Sequence, residues 1–262
     1  MKNRFWLVCL CLVLCCKING QNISGTLLLT NRLFDVTPES FNALDVSYPW
    51  VHSVVLSTGK VAFVYQNYQA GVSDAKLCLY DKDGIVEWTT TIDHGVTDYG
   101  VKMEIDGSDN IYLIGASKAT EGDWDMFIEK YQSNGTLLYS ILYDNGDNLD
   151  EIPVDLHVEA GGSVLVTGLC QSDDGTNGVN DDAFVARFSN TLSNQWFEEY
   201  DEAAYSDVSV GMEVAGGSIF LAVNSYSNAT DRQRCLVKYD QSTGAFQNEV
   251  RETGAGREYL TD

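Results

Sequence analysis

One phrase recurs along this chain and limits what it can fold into. Asp181 to Trp196 reads as an acid, a short apolar strand ending in an aromatic, a polar turn, and a second aromatic eight residues on. The phrase recurs at Asp74–Trp88 and Asp125–Tyr139, with a fainter copy from Gln233 to Asn248. The strand-ending aromatics Tyr80, Tyr131, Phe188 and Tyr239 stand 51, 57 and 51 residues apart. Upstream of each lie an alternating strand, a turn and a second apolar strand. In the third copy these are Val154–Val158, Gly161-Gly162 and Val164–Thr167. Alternation with period two is a strand signal, and the Gly-Gly and Gly-Ser-Asp-Asn turns supply the positive φ that tight hairpins require.

Each unit therefore carries four strands, A to D, and units of ~40–50 residues with four strands each are the signature of propeller blades. The expected fold is all-β: a β-propeller of four-stranded antiparallel blades, with four blades visible at about 46–95, 96–147, 148–203 and 204–256. Residues 257–262 resemble the start of a further blade. Gly25–Asp35 resembles the D strand at Gly135–Asp144 and forms, with a connector, an orphan closing segment over 21–45. The ring is thus expected to be incomplete, truncated at the C-terminus.

Residues 1–20 differ in kind. Lys2 and Arg4 precede an apolar run from Phe5 to Cys16. That run is shorter than the ~20 residues a spanning helix needs and fits a secretory signal peptide. The expected location is secreted, extracellular or at the cell surface, with no transmembrane segment in the mature chain. Of seven cysteines, Cys78, Cys170 and Cys235 lie beyond the leader. An odd number cannot pair fully, and no CxxC spacing suggests zinc. The net charge of −22 excludes a nucleic-acid partner, which would demand a basic surface.

Asp182-Ala-Phe-Val-Ala-Arg-Phe188 with Trp196 resembles the core phrase of secreted bacterial β-propeller (SBBP-type) repeats. Asp106-Gly-Ser-Asp-Asn-Ile-Tyr-Leu-Ile-Gly115 resembles their turn-and-strand hallmark. The resemblance spans roughly Val46 to Arg251. Blade 1 departs from it at Tyr65, where Gly115 and Gly168 stand in the next two blades, and blade 4 at Gln233. It implies an extracellular propeller within a longer surface or secreted protein, and no shared catalytic residues.

No HExxH, GxSxG or glycine-rich phosphate loop is present. His157 shares a column with Glu104 and Glu213 on the polar face of strand A, nearest the central channel. These positions read as channel lining, with His157 a candidate ligand contact. Asp74, Asp125 and Asp182 keep the repeat and are expected to be structural devices of the blade, such as a side-chain bond to a turn amide. Trp88, Tyr139 and Trp196 are expected to pack between blades, and Trp124 to be an exposed contact residue. No cofactor is expected except weakly held calcium in two acidic loops. The candidate ligands are Asp144, Asp147 and Asp150 in one, and Asp173, Asp174, Asn177 and Asp181 in the other; neither follows EF-hand spacing. A third acidic turn, Asp81-Lys-Asp83-Gly84, reads as ordinary turn chemistry. The expected function is a binding or surface-interaction module for an unknown extracellular protein or glycan. The alternative is a polysaccharide-directed hydrolase or lyase with part of its site in blades beyond residue 262.

Overall fold

A computed structural model describes residues 15–18, 21–24, 51–69, 72–118, 122–146, 149–173, 178–202, 205–228 and 231–252. Among these, every regular element is a strand. β1 (Cys15–Ile18) and β2 (Gln21–Ser24) form a short antiparallel ribbon. Blade 1 comprises β3 (Val51–Val55), β4 (Val61–Gln69), β5 (Val72–Tyr80) and β6 (Val86–Ile92). Blade 2 comprises β7 (Thr97–Ile105), β8 (Ile111–Lys118), β9 (Trp124–Tyr131) and β10 (Leu137–Tyr143). Blade 3 follows with β11 (Glu151–Val158), β12 (Val164–Asp173), β13 (Val179–Phe188) and β14 (Asn194–Tyr200). Blade 4 is β15 (Asp207–Ala215), β16 (Ser218–Asn228), β17 (Asp231–Asp240) and β18 (Phe246–Glu252).

Each blade is an antiparallel meander, and a single parallel bridge, Ser73 to Thr97, ties blade 1 to blade 2. The innermost strands touch in sequence, β3 with β7, β7 with β11, and β11 with β15. The described blades do not close into a ring. The orphan strand at 25–35, most of the leader and residues 253–262 lie outside the described residues.

The middle strands of blades 2 and 3 are sandwiched between neighbouring blades, so they read as nearly continuous apolar runs, and their alternation decides which neighbour each residue meets. On β8, Ile111 and Leu113 pack toward blade 1 while Tyr112 and Ile114 pack toward blade 3. On β13, Phe184, Ala186 and Phe188 meet blade 2, and Ala183 and Val185 meet blade 4. Shifting a strand by one residue would exchange the two sets, so the register is strongly specified. Cys78, Cys170 and Cys235 are free thiols buried in these strands. No helix among the described residues is long and apolar enough to cross a membrane.

The second-strand glycine of blades 2 and 3 has a steric cause. A Cβ on Gly115 would lie 2.0 Å from the Tyr99 carbonyl oxygen and 2.2 Å from Phe127. At Gly168 it would lie 2.1 Å from the Ile152 oxygen. In both blades strand A bulges at this point, between Gly100 and Lys102 and between Pro153 and Asp155, bringing its backbone onto the glycine. Trp88 and Trp196 do pack between blades: Trp88 covers the Gly135 turn, its indole N–H donating to the Ser133 oxygen at 3.0 Å, and Trp196 covers the Gly244 turn. Tyr139 departs from the expectation, standing 41% exposed. The corresponding turn in blade 3 places Leu192 in the 2–3 core, with φ +61°.

Candidate functional site

Two groups of polar side chains stand out, one around the axis and one between blades at the end where strands A and C begin. The axial group lies on the polar face of the innermost strands, as their alternation predicts. Lys102, Glu104, Asp155, His157, Glu213 and Phe220 line a cavity of about 460 Å³.

Most of this axial polarity is already engaged. An innermost strand has one side without a sheet partner, so alternate backbone N–H groups need other acceptors. Neighbouring blades supply them. His52 Nδ1 accepts the Met103 N–H at 3.1 Å, Glu104 Oε2 accepts the Val158 N–H at 2.7 Å, and Asp155 Oδ2 accepts the Met212 N–H at 2.9 Å. Lys102 Nζ donates to Asp155 Oδ1 as an ion pair. Burial first, and then the Lys102 charge, lowers the His52 pKa, which keeps the ring neutral and able to accept. Burial raises the Glu104 carboxyl, opposed by its bond from Val158. Half-buried His157 and exposed Glu213 remain available to a ligand.

The second group was not recognised as a cluster from the sequence. At the junction of blades 2 and 3, Asp125 at the start of β9, Asp144 after β10 and Glu151 at the start of β11 converge. Their ligand-capable oxygens all lie within 4.8 Å of one another. The equivalent Asp182, Asp201 and Asp207 meet under the same limit between blades 3 and 4. Glu151 is 1% exposed, and Asp182 and Asp207 are 0% exposed. Glu151 Oε2 and Asp207 Oδ1 have no hydrogen-bond partner. Burial, with neighbouring carboxylates adding to it, pushes Glu151 up to about 8, Asp182 and Asp207 to about 7, and Asp125 to about 6.

This revises several expectations. Asp182 bonds the Ser172 hydroxyl and, at 2.8 Å, the Asn180 side-chain amide, and its near neighbours are carboxylates instead of a turn amide. Of the described loop ligands, Asp144 alone joins a cluster. Asp150 Oδ1 accepts the Trp124 N–H at 2.9 Å, and Asp181 Oδ1 accepts from Gln171 at 3.3 Å. Asp173 is exposed, and Asp147, Asp174 and Asn177 lie outside the described residues. Asp81 closes its own turn, accepting the N–H groups of Asp83 and Ile85. Trp124 is 6% exposed, pressed between Tyr99 and Ile152 with Lys118 over its ring. It is a core residue, because strand β9 begins inside the blade 2–3 interface. The missed signal was present: an acid recurs at strand C start, after strand D and at the next strand A start, as Asp74, Asp93, Asp98 and then Asp125, Asp144, Glu151 and Asp182, Asp201, Asp207.

No protein-family profile matches the chain, and no curated protein matches it in sequence. Solved structures do resemble it. An alpha-L-arabinanase of Penicillium chrysogenum superposes with TM-score 0.55 at 13% identity, over 86% of this chain and 71% of that one. A subtype N10 neuraminidase-like protein of a bat influenza A virus gives 0.52 at 12% identity, over 78% and 66%. The alpha-L-arabinofuranosidase of Fusarium graminearum gives 0.52 at 11%, over 82% and 68%. At such identity the likeness establishes a propeller-type all-β fold and nothing finer.

Proposed function

We propose that the chain forms part of an extracellular β-propeller that binds a neutral glycan in its axial cavity without cleaving it. One observation carries this reading: half-buried Glu104 and buried Asp155 in the cavity accept backbone N–H groups of the next blade and so act as structural ties. Cleavage of a glycosidic bond asks for two carboxyl groups able to act on the scissile linkage. Here Glu213 is the one carboxylate of the lining with neither tie, and beside it His157 and Lys102 offer polar contacts around apolar Phe220 and Leu236. A net charge of −22 disfavours polyanionic ligands. The leader-like N-terminus and the SBBP resemblance support the extracellular placement.

A second reading, a polysaccharide-directed hydrolase, is favoured by the raised pKa of Glu104 within the same cavity as Glu213, and by the likeness to arabinan-directed enzymes. Arabino-oligosaccharides distinguish the two. Isothermal titration should detect binding that His157→Ala and Glu213→Gln weaken at least tenfold, with no reducing ends released on prolonged incubation. Release of sugar that Glu213→Gln abolishes would establish the hydrolase instead. Failure to bind any neutral glycan on an array would end both readings.

A further inference from the structure

Carboxyls gathered around a buried one are costly in a low-dielectric interior, because like charges repel and the buried group has lost water. Two blade junctions nevertheless repeat this arrangement at equivalent positions, under the same 4.8 Å limit. We propose that the Asp125–Asp144–Glu151 and Asp182–Asp201–Asp207 clusters each bind one calcium-class divalent cation, tying blade 2 to blade 3 and blade 3 to blade 4.

Three features point to a cation. The oxygens of each cluster lie within 4.8 Å of one another, a spacing that one ion can bridge. Each cluster contains a carboxylate at most 1% exposed with an oxygen that nothing satisfies, Glu151 Oε2 in one and Asp207 Oδ1 in the other. Buried polar atoms are nearly always bonded, so such an atom signals an absent partner. In the second cluster the Asn180 amide oxygen is also without a partner, while its nitrogen donates to Asp182. Each cluster also keeps one exposed member, Asp144 or Asp201, which leaves an entry path from solvent.

The donor set selects the ion. All the ligands are hard oxygens, with no histidine or cysteine among them, so zinc and copper are disfavoured. Calcium accepts irregular oxygen shells of six to eight donors, completed here by water, whereas magnesium demands near-octahedral geometry. Arg251, near the second cluster, pairs with Glu202 and Glu249.

At the first junction the same positions hold Asp74, Asp93 and Asp98, but there His94 is a neighbour whose charge Asp98 and Asp93 favour. The Asp98 Oδ2 accepts the N–H groups of His94 and Gly95 at 3.3 and 3.4 Å. No cation is assigned to that junction.

The test uses the full chain stripped with chelator. Equilibrium dialysis against calcium should give two ions per chain, with dissociation constants around the ~0.1–1 mM of extracellular modules. Terbium should show luminescence sensitised by Tyr143 and Tyr200, which precede Asp144 and Asp201, and calcium should quench it by displacement. Glu151→Gln should leave one ion per chain, as should Asp207→Asn. The exposed Asp144→Asn and Asp201→Asn make the same test at positions where folding is not at stake. No binding at 10-fold above that range, or two ions retained in all four variants, would overturn the proposal.

Discussion

The first and second blade junctions are built from equivalent residues and differ at one telling position. Residue 94, after strand D of blade 1, is histidine; its counterpart in blade 2 is Asn145. His94 Nε2 lies 3.1 Å from buried Glu129, whose bond is the main cause of its raised pKa, and the charges of Asp98 and Asp93 raise it further. Asn145 carries no charge and donates to Glu199 at 2.9 Å. The first junction thus sets beside its acids a histidine whose charged form they favour, and the second brings three carboxyls within 4.8 Å of one another; unpartnered carboxylate oxygens occur at both, on Asp74 and Asp98 at the first and on Glu151 at the second. A repeated architecture can hold the same acids at each interface while leaving the counter-charge to differ from one interface to the next.

The strongest way to disturb this comparison is steric. Gly168→Ala places a methyl 2.1 Å from the Ile152 oxygen and 2.7 Å from Pro153 Cα, at the bulge that follows Glu151. Urea denaturation should show a loss of about 3 kcal/mol, the upper end for overpacking, and calcium binding at the 2–3 junction should go with it. Retention of full stability would mean that strand A can move away from strand B.

Removing an axial tie should cost less and leave calcium binding intact. Glu104→Ala strands the Val158 N–H and should destabilise by about 1–3 kcal/mol, whereas Glu104→Gln, which keeps an acceptor, should lose distinctly less. Two ions per chain should persist in both variants. Equal losses would show that the carboxylate, and not the acceptor bond, stabilises the interface.

The first junction should respond to pH. A histidine whose folded pKa lies above its unfolded value of ~6.5 contributes stability that is complete below that value and is lost as pH rises through the folded pKa. Wild type should therefore exceed His94→Gln by about 1–2 kcal/mol at pH 5.5, and the gap should narrow toward pH 8.5. Urea midpoints at the two pH values check this; a constant gap would assign His94 a packing role, consistent with its contact to Phe127.

The smallest change is the most specific. Asn145→His supplies the second junction with the histidine that the first already has. Calcium affinity at that junction should fall severalfold near pH 6 and recover as the imidazole deprotonates, a shift readable by terbium competition. Unchanged affinity at both pH values would place the new ring outside the cluster.

Sequence pattern alone determined the strands, their four-fold grouping and the polar face of strand A. Each of these is local: alternation, turn glycines and a recurring aromatic column all act within a few residues, and the register observed on β7, β11 and β15 follows from them. The placement of His157, Glu104 and Glu213 along one cavity was legible for that reason. Trp124 was misread because its flanking aspartates suggest exposure, while the burial comes from Tyr99 and Ile152 on neighbouring strands. For Asp125 and Asp182, repetition marks a residue as important to the blade without saying what it meets. Only the packing of one blade on the next brings Asp125, Asp144 and Glu151 within reach of one another. The charge problem they create therefore belongs to the interface and to no single strand.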